Sequence, residues 1–236
     1  MKKFLIALLF APVLALASGG AHLDKWPGSV GDKAALQNGA KVFINYCLNC
    51  HGASFLRYNR LTELGLSEAQ VKDNLMFTSE KIGDQLRVAA RSEEQKVWFG
   101  ATPPDLTVVS RARASADGSG ADWLYTYLRS FYRDENRPTG WNNVVFENVG
   151  MPHILYGLQG QQVRNHETHK LELAVPGQMA PAEFDKTVSD LVGFMVWMAE
   201  PNQEFRQQLG LGVLVFLSLL FVLAYALKKE YWKDIH

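Results

Sequence analysis

The chain has 236 residues, with 24 Lys plus Arg against 24 Asp plus Glu, and is 47% hydrophobic with only two cysteines. That length allows one domain with a real core, or one with sizeable insertions, and two cysteines exclude a disulfide-dense scaffold. Residues 18–208 carry 19 basic and 22 acidic side chains, a mildly acidic balance that argues against nucleic-acid binding and is compatible with a basic soluble partner.

Residues 1–17 read as a secretory leader: Lys2 and Lys3, an apolar run interrupted by Pro12, and the small-residue site Ala15-Leu16-Ala17 before Ser18. The run is too short to span a bilayer and ends in Ser-Gly-Gly. Residues 34–46 have helical spacing, with Ala40, Val42, Phe43 and Tyr46 able to form one buried face. This helix would deliver Cys47.

Cys47-Leu48-Asn49-Cys50-His51 has the spacing of a covalent c-type haem attachment site. The thiols would form thioether bonds, and His51, one residue beyond the second, would face the iron as proximal ligand. A structural zinc site would call for four Cys or His ligands. A thioredoxin-like pair would need a βαβ context that the flanks lack, and a disulfide across three residues would be strained. Electron transfer is therefore the expected role.

Beyond the motif, residues 61–74 and 81–91 read as helices with weak points at Gly65 and Gly83, and Pro103-Pro104 makes residues 98–106 extended. Residues 117–120 read as a turn, 123–132 as an aromatic-rich helix, 134–160 as an ordered loop region and 163–173 as a small hairpin. A helix from Pro181 would bury Phe184, Val188, Leu191, Val192, Met195 and Met198, and Pro201 would end it. Strand content is low, so the fold class is mostly α.

The stretch of residues 209–227 contains no charge and is long enough to cross a membrane. Lys228, Lys229 and Lys233 follow it, with Tyr231 and Trp232 at interfacial depth, which puts the C-terminal tail in the cytoplasm by the positive-inside rule. The boundaries expected are a signal peptide at 1–17, a periplasmic haem domain at 18–204, a linker and transmembrane helix at 205–227, and a cytoplasmic tail at 228–236.

A second protein ligand would make the iron a six-coordinate carrier. Met179, in Val-Pro-Gly-Gln-Met-Ala-Pro, lies in an irregular loop where a thioether can be presented without competing for core space. Met151, in Gly-Met-Pro-His, is its rival for the same reason. Met195 and Met198 fall on an apolar helical face, and Met76 reads as packing. His153, His166 and His169 could give bis-histidine ligation, although histidines in polar loops are more often surface residues. The long excursion from His51 to Met179 implies large insertions in a minimal c-type domain.

Several segments, in order, resemble the cytochrome c1 family, the haem subunits of bacterial ubiquinol–cytochrome c oxidoreductase (cytochrome bc1) complexes. They are the haem motif, Arg57-Tyr58, Pro103-Pro104-Asp105-Leu106, Arg111-Ala112-Arg113, Asn142-Asn143, Gly150-Met151-Pro152, Gln178-Met179-Ala180 and Trp197-Met198-Ala199-Glu200-Pro201. The resemblance covers essentially the whole mature chain. It implies a cytochrome c-like haem domain with large insertions plus one C-terminal transmembrane helix, and one covalently bound haem c attached through Cys47 and Cys50. It also implies His51 and Met179 as axial ligands, Arg113 near a propionate, and Tyr58, Pro104 and Trp123 lining the pocket. A disulfide found in some members has no cysteines to form it here.

The implied partners are cytochrome b, the Rieske iron–sulfur subunit, a soluble cytochrome c acceptor and membrane lipid. Such a subunit catalyses nothing alone. Two rivals are a free-standing membrane-anchored carrier serving a terminal oxidase, and a haem enzyme or gas sensor with an open sixth iron position.

Overall fold

The computed structural model describes residues 22–165 and 167–234, so the leader expected at residues 1–17 lies outside the described residues, as does His166. In chain order the elements are α1 (Lys33–Val42), a π-helical turn (Phe43–Cys47), β1 (Ala53–Arg57), a 3-10 stretch (Tyr58–Leu64), α2 (Glu68–Leu75), β2 (Gln85–Leu86), α3 (Ser92–Phe99), α4 (Val109–Ala112) and α5 (Gly120–Arg129). There follow β3 (Phe131–Arg133), β4 (Trp141–Asn143), α6 (Tyr156–Gln159), β5 (Gly160–Arg164), β6 (Leu171–Pro176), α7 (Pro181–Ala199) and α8 (Gln203–Tyr231). The described chain is mostly helical, with three two-stranded antiparallel sheets, as the low strand propensity required.

Two compact units are present. A motif unit comprises Gly28–Val109 and Asp190–His236, and a hairpin unit comprises Ser110–Ser189 with the described residues up to Pro27.

In the motif unit, the Asp32 carboxylate accepts from the Ala35 N–H at 3.1 Å and starts α1. Leu36, Gly39, Ala40 and Val42 are its buried positions; of the face expected on residues 34–46, Ala40, Val42 and Phe43 are buried, whereas Tyr46, in the π-helical turn, is only half-buried. Gly39 lies against the C-terminal part of α7, where a Cβ would stand 2.1 Å from the Asp190 carbonyl oxygen. Only a residue without a side chain permits this approach. Asn38 donates to the Asp190 carboxylate at 2.8 Å, and the Phe43 and Phe194 rings meet at 5.5 Å.

Two expectations fail here. Residues 61–74 are not one helix, because Gly65 takes φ +92° and ends the 3-10 stretch; α2 then restarts from a Ser67–Gln70 capping box. Residues 81–91 are not helical at all. The carbonyls of Ile82 and Asp84 are taken by the N–H groups of Asn59 and Tyr58 at 2.7 and 3.0 Å, and β2 pairs Leu86 with Ala53 and Gln85 with Arg57. Long-range ladder bonds thus replace the i to i−4 bonds a helix would have used. The extended segment begins after Phe99, since Trp98 and Phe99 belong to α3.

In the hairpin unit, Ser119 and Asp122 form a capping box for α5. Asp122 also accepts from the Trp26 N–H at 2.8 Å, and the Trp26 indole donates to the Ser189 carbonyl at 3.0 Å. Arg129 holds Asp185 through paired bonds of 2.6 and 2.9 Å and Asp24 at 2.8 Å, a charge-assisted fork joining three segments. The expected ordered loop of 134–160 contains β4, paired with β3, and the short α6. The expected hairpin is β5–β6, running from the Gly160–Pro176 pair to the Arg164–Leu171 pair.

Phe184, Val188, Leu191, Val192, Met195 and Met198 of α7 are buried. Within Phe205–Tyr231 of α8 an 18-residue window reaches mean hydropathy 2.5, and none of that window is buried. The helix is long and apolar enough to cross a membrane, and it fits a single-pass anchor.

Candidate functional site

The haem motif is built where α1 loosens. The Leu48 N–H reaches back five residues to the Phe43 carbonyl at 3.0 Å, the bond of a π turn, and such turns recur at functional sites. The Cys50 and His51 N–H groups then both close on the Cys47 carbonyl, at 3.1 and 2.9 Å. The Gln95 amide donates to the Cys50 carbonyl at 2.9 Å. Both thiols are therefore carried on one tight turn pinned at both ends.

Cys47 and Cys50 are free thiols. Burial pushes the Cys47 thiol up to about 12, with Cys50 adding to the effect, and burial also raises Cys50. Protonated thiols are unlike the low-pKa thiolates of a redox pair or a zinc site. Among the described residues no group of three His, Cys, Asp or Glu side chains could hold a metal ion.

His51 supplies the deciding geometry. Its Nδ1 lies 2.8 Å from the Pro104 carbonyl, which can only accept, so Nδ1 carries the proton and Nε2 keeps its lone pair. Burial lowers the imidazole pKa, outweighing the Pro104 bond and the nearby Asp105, both of which act to raise it. The ring is held neutral.

Pro104 is in turn fixed by the residues on its C-terminal side. The Leu106 N–H donates to the Gly52 carbonyl at 2.8 Å, and the Asp105 carboxylate accepts from the Ser54 N–H at 2.8 Å and the Thr107 N–H at 2.9 Å. Burial acts to raise the Asp105 pKa, yet the bonds from Thr107 and Ser54 together hold it below the usual value. This clasp joins the extended segment to the residues just after the motif. Tyr58 is buried with its hydroxyl 3.2 Å from that of Thr78.

Cys47, Cys50, His51, Tyr58 and Pro104 all belong to the motif unit, whereas Arg113, Trp123 and Met179 belong to the hairpin unit. The Arg113 guanidinium lies 4.4 Å from the centroid of the Trp123 ring and has no carboxylate partner among the described residues. Trp123 is half-buried and stacks on Tyr127 at 4.7 Å. It is part of an aromatic stack rather than fully buried core.

Met179 is half-buried in the irregular segment before α7, as expected. Its N–H donates to the Leu158 carbonyl at 3.0 Å, and its sulfur lies 3.6 Å from the Thr187 hydroxyl. The Met151 sulfur accepts from the Tyr127 hydroxyl at 3.4 Å.

His153 departs from the surface reading. It is 2% exposed, stacked on Phe131 at 4.9 Å and set edge-on to Trp141 at 5.0 Å. Burial pushes its pKa down to about 4, with the Gln159 side chain acting the other way. His169 is exposed. Gln95, Thr78 and Thr187 carry no sequence signal, because their partners are distant or lie off the motif.

The profile described as the Cytochrome C1 family matches residues 25–235. The chain belongs to the cytochrome c1 family. It is 46% identical over 250 residues to cytochrome c1 of Allochromatium vinosum, covering both chains in full. It is 48% identical over 237 residues to a Nitrosomonas europaea protein described as an ammonia monooxygenase gamma subunit, covering all of this chain and 99% of that one. Cytochrome c1 of Rhodospirillum rubrum is 28% identical over 262 residues, covering 92% of this chain and 90% of its own. Membership of the cytochrome c1 family implies a haem c cofactor, and the donor set fits it: two free thiols and a neutral imidazole with an available Nε2.

Proposed function

We propose that this protein is the membrane-anchored haem subunit of a cytochrome bc1 complex. It takes one electron from the Rieske iron–sulfur protein and passes it to a soluble c-type cytochrome on the outer side of the inner membrane. One haem c is attached through Cys47 and Cys50. Bound haem supplies a one-electron iron couple, and no other redox chemistry is needed.

The chain's own residues set the terms of that couple. His51 offers Nε2, and the Pro104 carbonyl holds its tautomer and ring plane through Nδ1. Met179 offers the second axial ligand, a thioether that favours a higher potential than a second histidine. Arg113 would pair with a haem propionate, and Tyr58, Pro104 and Trp123 would lie against the bound haem. The observation that carries this reading is the Nδ1 bond to Pro104 at 2.8 Å beside two free thiols.

The topology follows from the chain ends. Residues 1–17 direct export and are removed, residues 18–204 form the periplasmic haem domain, residues 205–227 supply the linker and membrane span, and Lys228, Lys229 and Lys233 keep the tail cytoplasmic. Cytochrome b and the Rieske subunit are the membrane partners.

The test is a reduced-minus-oxidised spectrum of the solubilised native complex, read with its subunit composition. A c-type signal co-purifying with b-type haem and an iron–sulfur subunit is expected. A c-type signal recovered free of both would identify a free-standing carrier, and a high-spin five-coordinate ferric spectrum would identify an open iron site.

A further inference from the structure

Met179 is presented by a strap whose backbone has little freedom. The Gln178 and Met179 N–H groups donate to the Gly157 and Leu158 carbonyls, both at 3.0 Å. A Cβ on Gly177 would stand 2.4 Å from the Leu158 carbonyl oxygen and from the Gly160 nitrogen, so the strap lies directly on the α6–β5 turn. With the backbone held, what remains free is the long, unbranched methionine side chain.

Thr187, two turns into α7, restrains it. A helical threonine hydroxyl commonly bonds back to the carbonyl four residues earlier. Here the buried Thr187 hydroxyl donates instead to the Met179 sulfur at 3.6 Å. The geometry points to Thr187 as a positioning residue for the axial sulfur, one that also tunes it. This rests on Met179 being the axial ligand. A hydrogen bond to the thioether fixes its rotamer and draws electron density from the sulfur. The weaker donor stabilises ferric iron less than ferrous, so the bond raises the reduction potential. Its loss lowers the potential while ligation persists.

The test uses the full anchored chain in its solubilised complex and compares wild type with Thr187→Val, Thr187→Ala, Thr187→Ser and Met179→Leu. Three quantities are read: the near-infrared sulfur-to-iron absorption of the ferric form, the midpoint potential, and carbon monoxide binding to the ferrous form. Thr187→Val preserves shape and removes the donor, so it should keep the band at a displaced energy, lower the potential and bind no carbon monoxide. Thr187→Ser restores the hydroxyl and should return both values toward wild type. Thr187→Ala provides the same loss of donor without β-branching and should shift in the same direction as Val. Unchanged band energy and potential in both the Val and Ala variants would overturn the role of Thr187 while ligation stands. A band that survives Met179→Leu would instead overturn the ligation reading, and this inference with it.

Discussion

Replacing Gly39 by Ala adds one methyl group at a close contact between α1 and α7. A Cβ there would lie 2.1 Å from the Asp190 carbonyl oxygen, 2.7 Å from its carbon and 2.8 Å from the Phe194 Cβ. These are backbone atoms and a Cβ, which no rotamer change can move. The helices must therefore separate by about an ångström to regain ordinary contact. Intrinsic helix preference favours Ala over Gly by about 1 kcal/mol. Overpacking costs about 1–3 kcal/mol, and a rigid backbone obstacle puts this site at the upper end. Separation also stretches the 2.8 Å Asn38–Asp190 bond and the 5.5 Å Phe43–Phe194 contact. The net prediction is a loss of about 1–2 kcal/mol, equivalent to roughly 2–8 °C in Tm for a chain of this size. Because α1 runs directly into the turn that carries Cys47, a lower yield of haem-loaded protein should accompany it. Thermal unfolding of the haem-loaded variant, followed by circular dichroism, gives the measurement. A Tm equal to or above that of wild type would refute the overpacking account.

Met179→Leu keeps volume and apolarity, so its packing cost should stay below about 1.5 kcal/mol, yet the potential should fall and the near-infrared band disappear. Met151→Leu should retain both, and the opposite pattern in absorption spectra would exchange their roles. Ending the chain at Asn202 removes α8, whose uncharged stretch at residues 209–227 is the proposed anchor, and should release a haem-staining soluble domain from the outer face; pelleting with membranes after a high-salt wash would contradict a single anchor. His153 is buried with a pKa near 4 against an ordinary 6.5. The folded state therefore binds fewer protons than the unfolded state between those values. Its contribution is complete above the unfolded pKa and is lost as pH falls through the window, by about 3 kcal/mol in full. His153→Phe preserves the stack on Phe131 and should flatten that slope in denaturant titrations; an unchanged slope would show that other groups set the acid sensitivity.

Features that depend on local spacing can be read along the chain. Cys47, Cys50 and His51 lie within one turn, so their grouping is legible along the chain. The apolar faces of α1 and α7 follow from helical periodicity, and the length of the uncharged stretch is enough to define a membrane-compatible helix. Met179 stood out because Pro176 and Gly177 exclude it from regular structure. Features that depend on a distant partner emerge only once the segments pack. Residues 81–91 have a helix-compatible sequence, but the N–H groups of Tyr58 and Asn59 and the strand Ala53–Arg57 claim their backbone. His153 lies in a polar segment and reads as surface, yet Phe131 and Trp141 enclose it. The tautomer of His51 depends on a carbonyl at Pro104, and the sulfur of Met179 meets a hydroxyl at Thr187. Local propensity and motif spacing are properties of neighbours along the chain, whereas hydrogen-bond partners and burial are set by which segments pack together.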